Sequence, residues 1–297
     1  MTQNHSFHVI IDRLKNIRYS LEQHHFFLGI TKLRLLKNKF FPEQHSHMKP
    51  YTTKSASFFA EVKEFVKSMF SAMVFALLIR TFILQPFNIP SESMLPNLLV
   101  GDYLFVSKYT YGYSKYSIPF APDIFNGRIF GSEPKRGDVA VFRVVDDGNK
   151  DYIKRIVGLP GDKIRFANGS VIVNDKAALI GKAGKFGDDT IDPETIGADI
   201  VTEQLGDKIY QTLDVFDAPY DNTGTYIVPP DHYFFAGDNR DNSQDSRFSN
   251  GPVGFMHKDK LVGRAEFIFF SMRDSHFLEF WNWPSAIRFD RIFKTIN

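Results

Sequence analysis

The sequence predicts a mostly β protein with antiparallel sheets, carried behind one membrane-spanning helix. Two observations predict this class. One nearly uncharged apolar run stands in the N-terminal third, and every later hydrophobic run is short, rich in β-branched and aromatic residues, and bounded by turn signals. No long helical period follows the apolar run, and no repeat of fixed period appears.

Residues 1–47 are basic and hold six of the nine histidines (His5, His8, His24, His25, His45, His47). Two readings stay open for them: a basic helix lying on a membrane surface, or a true start at Met48.

The apolar run is residues 68–85, SMFSAMVFALLIRTFILQ, with Arg80 as its one charge. It approaches the length needed to cross a hydrocarbon core of ~30 Å. Phe65, Val66 and Phe87 lengthen it, so the span is set at 65–87. Arg80 lies near the far end, where its stem can carry the guanidinium to the interface. A buried amphipathic helix is the rival, but few soluble helices are apolar all round. A cleaved leader would leave through a small-x-small site, whereas this run leaves through QPFNIP. Lys49, Lys54, Lys63 and Lys67 precede the span. Positive flanks stay inside, so residues 1–64 are expected in the cytoplasm and 88–297 outside.

Strands are expected at 103–106, 139–145, 164–166, 171–173, 226–228, 233–235 and 261–270. Turn signals divide them: Arg136-Gly137-Asp138, Asp147-Gly148-Asn149, Leu159-Pro160-Gly161-Asp162 and Pro229-Pro230-Asp231. Asn168-Gly169, between IRFA and SVIV, predicts a two-residue hairpin. Residues 175–222 are polar and rich in Gly and Asp. They are read as a peripheral insertion with few strands.

The chain has no cysteine among its 297 residues, which removes disulfides, thiolate zinc sites and thiol nucleophiles. A net charge of +2 argues neither for nor against a nucleic-acid partner.

Three segments can carry chemistry: IPSESMLPNLLVGD at 89–102, DYIKRIVGLPGD at 151–162 and FAGDNRDNSQDSR at 235–247. Ser91 and Ser93 sit between two prolines, where a serine is ordinarily a turn residue. A Ser-His-Asp triad would need His232, His257 or His276, none of them in a recognisable motif. Lysine is the other available base. Alternation along YIKRIV sends Lys154 and Arg155 to opposite faces, so one of them points toward the more buried side. Alone, Lys154 reads as an edge-strand charge that discourages aggregation. The third segment reads as an ion-pair network that stiffens a loop. A divalent-cation loop ranks behind it, since the EF-hand glutamate is missing and the arginines repel a metal.

Together the segments resemble the signature boxes of bacterial type I signal peptidases, the membrane-anchored Ser/Lys proteases. PSESMLPNLLVGD resembles the serine box, RGDVAVF at 136–142 the strand that follows, DYIKRIVGLPGD the lysine box and GDNRDNSQDSR the last box. The resemblance covers 65 to about 270 and leaves out 1–47 and 175–222. It implies a signal-peptidase-like β fold and an endopeptidase that removes signal peptides from exported preproteins. It also implies a single-pass inner-membrane protein with a periplasmic catalytic region beside the export machinery. Preprotein signal peptides and the lipid bilayer are the implied partners, with no nucleic acid, cofactor or metal.

By the same resemblance Ser93 is the nucleophile and Lys154 the general base. Ser91 completes the oxyanion hole beside the Ser93 amide, and Ser243 orients the lysine. Arg155, Asp238, Asp245 and Arg247 brace the site. Phe87, Ile89, Met94, Leu98, Val141, Tyr152 and Ile153 line shallow pockets for small side chains, with Met94, Leu98 and Tyr152 as the floor. Rival readings are a soluble self-cleaving Ser/Lys protein, which the apolar run opposes, and a tethered β module without activity.

Overall fold

The computed structural model describes residues 54–119, 121–187, 195–248, 250–273 and 283–296. The N-terminal 53 residues, with both readings of 1–47, lie outside the described residues, as does His276.

Helix α1 spans Lys54–Phe82. Within it, Phe58–Phe82 is long and apolar enough to cross a membrane, and none of that apolar stretch is buried against the protein. The helix stops earlier than the expected 65–87 boundary, because residues from Leu84 onward are already a strand. The cause is Pro86. It has no N–H to continue a helix, and it pushes Gln85 toward extended backbone.

Fourteen strands follow among the described residues. They are β1 (Leu84–Asn88), β2 (Asp102–Ser107), β3 (Val139–Val144), β4 (Lys150–Gly158), β5 (Lys163–Ala167), β6 (Ser170–Val173) and β7 (Lys176–Ala177). Next come β8 (Leu179–Lys185), β9 (Asp199–Leu205), β10 (Lys208–Asp214), β11 (Tyr226–Ile227), β12 (His232–Ala236), β13 (Met256–His257) and β14 (Leu261–Ser271). All seven expected strands are present. The 167–170 hairpin is also present: Ala167 pairs with Ser170, and Asn168 and Gly169 both take positive φ, 48° and 72°. A two-residue turn that matches the strand twist needs those angles.

The main sheet has the order β1-β2-β14-β3-β4-β12-β13, and its pairs are antiparallel. β4 is a central strand, not an edge. Ala140 pairs with Lys154 on one side, while on the other β12 pairs only with residues 155–158 of β4. The backbone of 150–154 is therefore free on that side among the described residues. β1, at the end of the sheet, is likewise paired on one side only.

The 175–222 segment departs from expectation. It forms a three-stranded sheet, β10-β9-β8, and supplies buried Leu205, Tyr210 and Leu213 to the core. It is neither strand-poor nor peripheral. In β9 the inward positions are Val201, Glu203 and Leu205. A buried glutamate in the middle breaks the alternation by which a strand is recognised.

Candidate active site

Ser93 and Lys154 come from segments 61 residues apart, and the fold brings them into contact. Ser93 lies in the turn between β1 and β2. Its carbonyl accepts from the Asn239 amide at 3.2 Å. The end of that turn is fixed by Asp102, which accepts from the Leu99 amide, from Ser271 and from the Arg291 guanidinium. Arg291 also donates to the Asn97 carbonyl at 2.9 Å. This anchor from the C-terminal residues was not legible in the boxes.

Lys154 projects from β4 so that its Nζ donates to Ser93 Oγ at 2.5 Å. Ser93 is 7% exposed and Lys154 4%. Burial lowers the lysine pKa from 10.5 to about 8, against the opposing pull of Asp245 and Asp238. No carboxylate among the described residues forms a salt bridge with Lys154. Lys108 is also buried and also lowered to about 8 by burial, but its amine donates to the Ser117 carbonyl. Of these two buried amines, Lys154 alone addresses a serine hydroxyl. Ser91 Oγ lies 3.4 Å from Ser93 Oγ at the exposed side of the pair.

The bracing charges assemble as salt bridges. Arg155 grips Asp238 in a fork, Nε to Oδ1 and Nη2 to Oδ2, both 2.7 Å, with both side chains 1% exposed. Its guanidinium stacks 3.9 Å from the Tyr210 ring centroid, and Asn97 donates to Asp238 at 2.7 Å. Arg247 grips Asp245 through two contacts of 2.9 Å, and Asp245 also accepts from the Gly237 amide. Burial opposes the Asp245 charge. Arg247 and these hydrogen bonds overcome it, and the carboxyl stays below its ordinary range. Arg240 leaves the loop to pair with Glu203 of β9. The network thus reaches beyond the loop, to β4 through Arg155, which was expected among the bracing charges, and to β9 through Glu203, which the sequence did not show.

Ser243 differs in detail from its expected role. It is buried, but among the described residues its hydroxyl makes no hydrogen bond to Lys154. It packs against Gly237, where an added Cβ would stand 2.2 Å from Ser243 Oγ and 2.6 Å from the Ser93 carbonyl oxygen. Gly237 keeps the last box in contact with Ser93, a close approach that only glycine allows.

A cleft of about 600 Å³ opens beside the pair, between β1 and the free edge of β4. Phe87, Ile89, Val141, Tyr152 and Ile153, the residues the resemblance assigned to pocket walls, line it. So do Asn88, Pro90, Asn242 and Gln244, which the sequence did not single out. Met94 and Leu98 do not line it. Both are fully buried in the cluster beneath Ile89 and Val141, so they support the walls and do not form a floor. His232 and His257 face each other across β12 and β13, outside the cleft. Among the described residues, one acidic trio lies close enough to hold a metal: Asp214, Asp221 and Asp241. None of the three lines the cleft.

Residues 62–270 match the family model for signal peptidase, peptidase S26. Signal peptidase I of Rickettsia typhi is 38% identical over 254 residues, covering 78% of this chain and 94% of that one. The Rickettsia prowazekii enzyme is 37% identical with the same coverage. A crystal structure of a signal peptidase I from Enterococcus faecalis aligns over 45% of this chain and 97% of its own at 20% identity, with a TM-score of 0.26, too loose a likeness to bear on the assignment. The family model, whose match spans the serine, lysine and last boxes, and the relatives agree: the chain belongs to the S26 signal peptidase family.

Proposed function

We propose that the protein removes signal peptides from preproteins by nucleophilic attack of Ser93, with Lys154 as general base. Family membership supports the reaction. The observation that carries the assignment of residues is the 2.5 Å contact from Lys154 Nζ to Ser93 Oγ, inside a setting that lowers the amine to about 8.

Neutral Lys154 takes the Ser93 proton as Oγ attacks the carbonyl carbon of the scissile bond. The Ser93 amide and Ser91 Oγ donate to the oxyanion that forms. The ammonium then gives its proton to the departing nitrogen, and the mature chain leaves. The signal peptide stays esterified to Ser93. Water, deprotonated by Lys154, attacks this ester and regenerates both groups. Arg155–Asp238 and Arg247–Asp245 hold the buried frame around Lys154, in which burial brings its pKa down to about 8.

The cleft explains how an extended peptide is held. β1 and residues 150–154 of β4 present backbone edges that no described strand occupies, and a substrate strand adds there through main-chain hydrogen bonds. Ile89, Val141 and Ile153 leave apolar room for small side chains. We place the cleft outside the cytoplasm, on the lysine bias before the 68–85 apolar run.

The test is cleavage of a synthetic peptide with alanine at −3 and −1. Wild type should cleave it, faster as pH rises through about 8, because deprotonation of Lys154 creates the competent base. Ser93→Ala and Lys154→Arg should both be inactive, the latter because a guanidinium keeps its charge. Near-wild-type cleavage by folded Lys154→Arg would remove the lysine from the mechanism. Efficient cleavage after leucine at −1 would remove the small-pocket reading.

A further inference from the structure

Asp214 ends β10, Asp221 is the last residue of a 3-10 turn (Pro219–Asp221), and Asp241 stands in the last box two residues before Ser243. One carboxylate oxygen from each lies within 4.8 Å of the other two. Three like charges at that separation repel one another unless a cation or a proton joins them. The arginines of the same loop do not supply the cation. Arg240 is engaged with Glu203 and Arg247 with Asp245, and none of the three aspartates forms a salt bridge among the described residues.

A second observation concerns Asp221 itself. It is 4% exposed. Its Oδ2 accepts from the Ala218 amide at 2.6 Å, while its buried Oδ1 has no hydrogen-bond partner among the described residues. Asp241 repeats the pattern. Its Oδ2 accepts from the Val215 and Phe216 amides, and its buried Oδ1 has no hydrogen-bond partner among the described residues. A carboxylate oxygen hidden from water and left unbonded is costly. Here two such oxygens belong to a cluster of three acids.

We propose that Asp214, Asp221 and Asp241 bind a calcium ion that ties the last box to β10 and the 219–221 turn. The donor set is oxygen only, which suits a hard cation and not zinc. The three ligands come from three separate segments, so the ion acts as a staple, and it lies outside the cleft. It takes no part in the chemistry at Ser93. Its readout is stability, and it stands or falls apart from the Ser93/Lys154 reading.

The experiment uses the full chain in detergent, stripped with a chelator and then titrated with calcium, in wild type and in Asp214→Asn and Asp221→Asn. Saturating calcium should raise the wild-type unfolding midpoint by about 5 °C, reversibly on chelation. Both variants should lose most of that rise. Terbium, bound in place of calcium beside Tyr220, should give luminescence that saturates and is displaced by calcium. No midpoint change at about 10 mM calcium, well above the dissociation constants of extracellular calcium modules, would overturn the proposal. So would a rise that persists in both variants. If the acids instead share a proton, the asparagine variants are stabilised without calcium, and that also overturns it. Should the variants fail to fold, wild-type terbium luminescence that is absent or not displaced by calcium overturns it alone.

Discussion

Replacing Lys154 with methionine should make the protein more stable while abolishing activity. The amine sits in a buried site that lowers its pKa from 10.5 to about 8. At 1.36 kcal/mol per tenfold, holding it charged in the folded state costs about 3 kcal/mol. Below pH 8 the folded protein carries that whole penalty. Between pH 8 and 10.5 the unfolded chain binds the proton and the folded protein does not, so stability rises with pH. Above 10.5 neither state is charged and the penalty is gone. Methionine matches the stem in length and carries no charge. The assay is urea unfolding followed by far-UV circular dichroism from pH 6 to 10, with Ser93→Ala in both proteins to prevent self-cleavage. At pH 7 the methionine protein should be more stable by about 2–3 kcal/mol, and the gap should close as pH approaches 10. A methionine protein that is less stable at pH 7, with a gap independent of pH, would show that Lys154 is not held against its charge.

Three other outcomes follow from the geometry. Gly237→Ala places a methyl group against Ser243 Oγ and the Ser93 carbonyl. A nucleophile displaced by about 1 Å loses roughly 100-fold in kcat/KM, measured on the alanine peptide with circular dichroism as the control for folding. Asp238→Asn leaves the buried Arg155 charge without its partner and should cost about 3–5 kcal/mol in urea unfolding; a loss under about 1 kcal/mol contradicts the buried-pair reading. Added protease should digest the 88–297 region in spheroplasts and spare it in inverted vesicles, and the reverse pattern overturns the assigned orientation.

Strands β2, β3, β12 and β14 of the main sheet were legible because they alternate or are continuously apolar between strong turn signals, whereas β1 was hidden in the apolar run that ends at Pro86. The site was legible for a different reason. Its residues sit in short segments whose internal spacing survives whatever lies between them. The 175–222 segment failed both tests. Its strands turn Glu203 and Thr212 inward, and the partner that makes Glu203 tolerable, Arg240, lies 37 residues away. A charge buried by a distant partner looks, in sequence, like a charge on a surface. The anchor at Asp102 was hidden in the same way, since Arg291 lies 189 residues from it.

Lys154 and Arg155 show what alternation can and cannot decide. Alternation was expected to send one of the pair toward the more buried side of the strand. In β4 both are buried, because the strand is central and both of its faces are covered. Burial therefore does not distinguish Lys154 from Arg155; their partners do. Arg155 meets Asp238 in a fork, and that carboxylate holds its pKa above the ordinary value against burial. Lys154 meets a serine hydroxyl and no paired carboxylate, so burial prevails and the pKa falls to about 8. The proposed roles of these adjacent residues differ because one carboxylate, delivered by the last box, forms a salt bridge with only one of them.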